Sequence, residues 1–450
     1  MTRIESDLLG EVAIPDEALY GAQTQRAVEN FPASGQRTLG SFPALVRALL
    51  MVKKAAALAN AAAGFLPEEK ARAIAGAADA LLEQGWDGHF PVHVLHGGGG
   101  TSANMNANEV LANLAEERLG GRRGEYRLIH PNDHANLNQS TNDVYPTACH
   151  VAAILQWAGL RRSLTSLGDA LEERAETYRD QVRLARTCLQ DAVEIRFGDY
   201  LGGMTRQIGR LGARLSTSVE ALYAVNLGGS IVGRVEDVPG AYFERVIHHL
   251  VAVTGEARLH RAENLFDAAQ NPDDLTAVSA ALDITARALI KIACDFRVLS
   301  SGPQAGLNEV RLPAVQPGSS IMPGKVNPVI PEFLIQCCFR VIGNHAMCTA
   351  GLDHGELDLN VWESSMVFAI LESMELLEAG ITALTGRCVQ GLEPVVETND
   401  ARVQTITPRL TRLARQHGYS RITAICKLAA GDFGRLEALL DEAFPRGDEG

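Results

Sequence analysis

Two long stretches of this 450-residue chain, 147–238 and 332–393, contain no proline. A proline removes a backbone donor and its ring collides with the carbonyl one turn back, so long helices need such gaps. Both stretches are rich in Ala, Leu, Glu and Arg, which suit a helix. Leu164, Leu167 and Leu171 fall on one helical stripe, with Arg161, Arg162, Glu172 and Glu173 among them. The spacing predicts a helix over residues 151–185, roughly 50 Å long at about 1.5 Å per residue. Segments 273–301 and 332–347 are similarly apolar. Helices this apolar need neighbours on several sides, which implies a bundle. Strand signals are weak, with few alternating β-branched runs and no Asn-Gly hairpins between them. The expected class is all-α.

Loop-rich places near 130–146 and 394–400 suggest a division into 1–140, 141–393 and 394–450. The last five residues, 446–450, are expected to fray. A net charge of −13 argues against nonspecific nucleic-acid binding. No apolar run approaches the roughly 18 residues a membrane helix needs, and the polar start lacks a leader's apolar region. Eight cysteines, at 149, 188, 294, 337, 338, 348, 388 and 426, form no CxxC pair. Most lie in apolar stretches and read as small buried hydrophobes rather than a disulfide framework. These features point to a cytoplasmic protein.

The chemistry concentrates in residues 318–327, Gly-Ser-Ser-Ile-Met-Pro-Gly-Lys-Val-Asn. Two glycines bracket adjacent serines and a proline, and a lysine and an asparagine follow. Such a loop can bend sharply, expose N–H groups and set a hydroxyl beside a cation. It is no phosphate loop: five residues separate Gly318 from Gly324, and Val326 stands where Ser or Thr should follow the lysine. A second segment, 96–106, reads His-Gly-Gly-Gly-Gly-Thr-Ser-Ala-Asn-Met-Asn. Its glycines permit close backbone approach to a ligand. A lipase oxyanion loop can read His-Gly-Gly-Gly, but the chain has no Gly-x-Ser-x-Gly elbow. A third, 139–143, is Gln-Ser-Thr-Asn-Asp, which also suits a helix cap with Thr141 or Asn142 accepting from the next turn. His130 and His134 sit four apart like metal ligands, but the intervening Pro-Asn-Asp argues against a helix there. A fourth, 186–193, is Arg-Thr-Cys-Leu-Gln-Asp-Ala-Val.

Together these segments resemble the signatures of the fumarase/aspartase superfamily, the aspartase branch more than the fumarase branch. The resemblance covers roughly residues 1–393. It implies a mostly helical three-domain subunit with a central long-helix bundle, the helices of four subunits forming a twenty-helix core. It also implies a homotetramer whose active sites are shared between subunits, working without cofactor or catalytic metal on a small dicarboxylate. Ser319 becomes the base of an anti elimination that passes through an aci-carboxylate. Thr101, Ser140, Thr141, Asn142, Thr187, Ser320, Lys325 and Asn327 become substrate-binding residues. Pre-aimed donors would stabilise charge that develops only as the proton leaves.

The chain departs from the pattern in places. Cys188 stands where fumarases have His and aspartases His or Gln, so Glu332 lacks its usual imidazole partner. A nucleophilic Cys188 has no neighbouring His to support it. Glu194 and Arg196 follow the fourth segment where aspartases have Pro and small residues. Arg234 interrupts their Gly-Thr-Gly-x-Asn stretch, and Thr407-Pro408 replaces a Leu-Asn-Pro turn. An arginine can grip a further carboxylate or nitro group bidentately. The expected reaction is release of ammonia from L-aspartate. The alternatives are elimination from an N-substituted or modified aspartate or another 2-substituted succinate with an amine or nitro leaving group, fumarate hydration, and an inactive structural homologue.

Overall fold

The computed structural model describes residues 2–32, 35 and 37–445. The expected frayed tail, 446–450, lies outside them. The protein is mostly helical, its longest helices being Thr141–Thr177, Phe197–Glu220, Asp273–Leu299, Val329–Asp353 and Glu363–Arg387. Helix Thr141–Thr177 begins ten residues earlier than the sequence predicts and ends eight earlier. Its early start survives Pro146 because the carbonyl deprived of a donor, that of Asn142, accepts from Asn226 Nδ2 at 3.0 Å. Past its end the chain turns and enters a strand, so the proline-free stretch is not helical throughout.

Four two-stranded ladders also occur among the described residues. The two hairpins are Thr2–Asp7 with Gly10–Pro15 and Val182–Thr187 with Gln190–Arg196. The second turns through Cys188 and Leu189, both at positive φ (52° and 63°). That is a two-residue turn without the Asn-Gly signal that usually announces one.

Backbone proximity divides the chain into two units, 1–162 with 211–288 and 336–379, and 163–210 with 289–335 and 380–450. Every internal boundary falls inside a long helix. In the first unit, Pro43–Ala62 packs between Glu68–Gln84 and Gly240–Thr254. Its alanines and leucines are buried from Ala44 through Ala57, with Ala62 at its end exposed. Helix Thr101–Arg118 lies against Glu68–Gln84. The second unit carries the Val182–Arg196 hairpin and the 318–327 loop. Its C-terminal helices close a small core of Leu413, Ile422, Leu436, Leu440 and Phe444. All eight cysteines are free, and five are buried; Cys188 is exposed. No described helix is long and apolar enough to cross a membrane.

Candidate active site

In the first unit, Gly98, Gly99 and Gly100 run consecutively at positive φ (89°, 59° and 90°) and deliver the chain to helix Thr101–Arg118. A Cβ on Gly100 would enter the Tyr145 ring, so only glycine fits there. Thr101 opens the helix, exposed, its Oγ1 donating to Gly98 O at 2.8 Å. Free N–H groups and the helix dipole make such an end receptive to an anion.

The Gln-Ser-Thr-Asn-Asp segment opens helix Thr141–Thr177 beside it. The cap is Ser140 rather than Thr141 or Asn142: its Oγ accepts from Asn142 N at 3.2 Å, while Asp143 Oδ1 accepts from Ser140 N at 2.9 Å. Thr141 and Asn142 are thereby left for other partners. Thr141 Oγ1 accepts from Asn104 Nδ2 at 3.0 Å, which couples the second and third segments directly. Asn142 Nδ2 donates to Ile231 O at 2.8 Å. All four groups, Thr101, Ser140, Thr141 and Asn142, therefore gather at two neighbouring helix starts.

Sequence reasoning missed what holds these starts. Lys53 is fully buried and donates to Asn136 Oδ1 (2.8 Å) and Gln139 Oε1 (3.0 Å). Asn104 and Asn108 add donors to the same Asn136 oxygen, each at 3.2 Å. Asp143, also fully buried, accepts from Gly228 N and Ser230 N. Burial lowers the Lys53 ammonium and raises the Asp143 carboxyl, and their mutual attraction opposes both shifts. The buried lysine in an alanine-rich helix was the available signal. His130 caps a π-helical turn, Pro131–Ala135, and His134 lies within it, where a non-helical segment was expected. Proline suits the first position of such a turn, and His130 Nδ1 caps it by accepting from Asn132 N and Asp133 N. His134 is engaged by His130 N and Lys70.

In the second unit, Ser319 Oγ accepts two backbone N–H groups, from Ile321 at 3.2 Å and Met322 at 3.0 Å. Donors aimed at a hydroxyl oxygen favour its ionised form, which is what a serine needs to act as a base. Gly318 N donates to Lys325 O (2.7 Å), and Asn327 Nδ2 donates to Gly318 O (2.9 Å). The loop is thus pinched shut at its base, where a Cβ on Gly318 would collide with the Asn327 backbone. Ser320 and Lys325 are exposed, and the Lys325 ammonium has no ion pair among the described residues. Glu332 pairs with Arg297 at 3.3 Å in place of an imidazole.

Thr187 and Cys188 form the tip of the hairpin. Its first strand is held by Glu309, which is fully buried and faces Arg186, next to the tip, at 2.6 Å, Arg183, near the open end, at 3.3 Å, and Arg402 at 3.6 Å. Arg196 lies at the open end of the hairpin, paired with Val182 and bridged to Asp180 at 3.2 Å. Seven residues of strand, about 23 Å, separate Arg196 from the tip. Glu194 lies near that open end, opposite Leu184. Within the first unit, Arg234 is exposed and faces Asp237 at 3.5 Å. It follows the 226–231 segment that bonds to Asn142.

A family profile described as lyase matches residues 10–343. The chain belongs to the fumarase/aspartase superfamily of lyases. It is 40% identical to the aspartate ammonia-lyase of Bacillus subtilis, over 95% of this chain and 89% of that one. It is also 40% identical to a class II fumarate hydratase of Thermosynechococcus vestitus, over 95% and 91%. Among solved structures, the cobalt-bound fumarate lyase:delta crystallin of Brucella melitensis superposes with a TM-score of 0.92 at 44% identity, covering 99% of this chain and 100% of that one. A superfamily lyase acting on a small dicarboxylate of the aspartate or fumarate kind accounts for these similarities.

Proposed function

We propose that this lyase eliminates ammonia from L-aspartate to give fumarate. The observation that carries the reading is the twofold N–H coordination of Ser319 Oγ in a loop that also presents Lys325. The proton to be removed lies next to a carboxylate and is very weakly acidic. Its removal builds a dianionic aci-carboxylate, which needs fixed donors in place before the charge appears. Lys325, Asn327 and the loop N–H groups serve one end of the substrate. Thr101, Ser140, Thr141, Asn142 and Thr187 serve its carboxylates, with Ser320 beside the base. Loop closure over the substrate excludes water.

The assembly proposed is a homotetramer of three-domain subunits with shared sites. Ile284 and Phe339 in the first unit and Val298 and Phe333 in the second are exposed on long helices, as a covered bundle face requires. A cytoplasmic location and cofactor-free chemistry complete the proposal. A second reading, a modified or N-substituted aspartate, draws on Arg234 following the segment bonded to Asn142. Fumarate hydration is disfavoured because Cys188 stands where the resemblance places the fumarase histidine. Fumarate formation from L-aspartate, L-malate and a panel of N-substituted aspartates, followed by ultraviolet absorbance, tests the proposal. Highest kcat/KM on aspartate supports it; highest kcat/KM on malate or on a substituted amine refutes it.

A further inference from the structure

The first unit bears a half-open cavity of about 760 Å³ lined by helix Thr141–Thr177, the 224–235 segment, the 261–274 segment and the start of helix Glu363–Arg387. A volume of this size suits a small organic ligand. Glu363 lines it while only 6% exposed, and its carboxylate has no hydrogen bond or ion pair among the described residues. Burial alone pushes its carboxyl up to about 8. A buried acid without a partner is costly, and each such group calls for an occupant or a function.

Two further acceptors share the cavity lining. The half-buried His150 has its Nδ1 3.1 Å from both Leu222 O and Ala224 O, so that nitrogen carries the hydrogen and Nε2 is left as a bare acceptor. Asn226 spends its amide N–H on Asn142 O, and its Oδ1 is buried without a partner. The lining also holds four more acids, Glu263, Asp267, Asp273 and Asp274, against one cation, Arg261. Arg261 is already stacked on Phe243, 3.5 Å from the ring centroid. Among the described residues no three acid, histidine or cysteine side chains converge closely enough to hold a metal ion. The cavity is therefore rich in acceptors, negative, and too dispersed to chelate. Leu265, Phe266 and Val235 add apolar wall, with Asn264 and Asn271 beside them.

We propose that this cavity is a binding site for a small organic cation carrying a primary ammonium group, with Glu363 as its anchor. An ammonium offers three N–H donors and one charge, which answer the unpartnered carboxylate and the acceptors beside it. An alkyl body lies against the apolar walls. The site goes beyond the elimination reaction, since it uses none of the residues assigned to that chemistry.

Isothermal titration calorimetry of the full chain at about pH 9, where Glu363 is ionised and a primary amine still protonated, with n-butylammonium and separately with tetramethylammonium and magnesium, tests this. The expected result is one butylammonium site per chain, with tetramethylammonium much weaker because it has no N–H donors. Glu363→Gln should weaken butylammonium roughly ten- to hundredfold, the worth of a charged hydrogen bond. Asp274→Asn, at a less buried position, should weaken it by a smaller factor. Absence of butylammonium binding overturns the proposal, as it would if a second copy of the chain fills the cavity. Equal affinity for the quaternary ion, or competition by magnesium at the same site, overturns it as well. The comparison of primary with quaternary ion uses the natural chain, so it decides the matter even if Glu363→Gln does not fold.

Discussion

Replacing Glu309 by Gln keeps the shape of the side chain and removes its charge from among three arginines. Arg183 depends on it most, being 6% exposed and otherwise lying over the Tyr200 and Phe197 rings, 4.5 and 5.7 Å from their centroids. Arg186 keeps Asp191 at 3.8 Å, and Arg402 keeps the Leu307 carbonyl at 2.7 Å and is partly solvated. Breaking a buried pair by removing one partner costs about 3–5 kcal/mol, mostly the penalty of the charge left behind. With one arginine stranded and two partly compensated, the lower end, about 3 kcal/mol, is expected. The assay is urea unfolding by circular dichroism on a double-mutant cycle of Glu309→Gln and Arg183→Met. The double variant should lose at least about 1 kcal/mol less than the sum of the singles, because the second change removes the stranded charge. The loosened hairpin should also raise KM through Thr187. Additive losses, or a single-variant loss below about 1 kcal/mol, would show that Glu309 does not hold the hairpin.

Gly100→Ala should destabilise the protein by about 2–4 kcal/mol, combining positive φ with overpacking against Tyr145, and should depress activity with it; a neutral melting curve would contradict the fit described. Arg234→Met should lower kcat/KM for an anionic, enlarged substrate more than for aspartate if Arg234 reaches the pocket, and equal effects on both would remove it from the site. Burial raises Glu363 from an ordinary 4.5 to about 8, so the folded protein keeps a proton that the unfolded chain has released. Its contribution is complete below the unfolded value and is lost as pH rises through about 8. Glu363→Gln should therefore gain on the natural chain between about pH 5 and about pH 9, by up to roughly 5 kcal/mol, in paired urea titrations. A pH-independent difference would refute the shift.

The long helices were legible because proline is absent and Leu164, Leu167 and Leu171 repeat at helical spacing. The start of Thr141–Thr177 was not, because Pro146 reads as a stop. Its cost is met by Asn226, eighty residues further along the chain, and no local signal carries that. The Val182–Arg196 hairpin was hidden by a turn that places Cys188 and Leu189, not glycine or asparagine, at positive φ. Motifs named the groups around Thr141 and Ser319, but the supporting layer of Lys53, Asn104, Asn136 and Glu309 is set by tertiary packing. Arg196 and Thr187 show the converse limit: nearness in sequence becomes opposite ends of a hairpin once the strands pair.

The central claim is that Ser319, held by the Ile321 and Met322 N–H groups, removes the proton in an elimination that yields fumarate. Fumarate release from L-aspartate by Ser319→Ala, measured beside the natural chain at matched folding and oligomeric state, tests it most directly. The account predicts a loss of kcat far beyond tenfold with KM little changed. Retention of more than about a tenth of the activity, under ~1.4 kcal/mol in barrier terms, would contradict it.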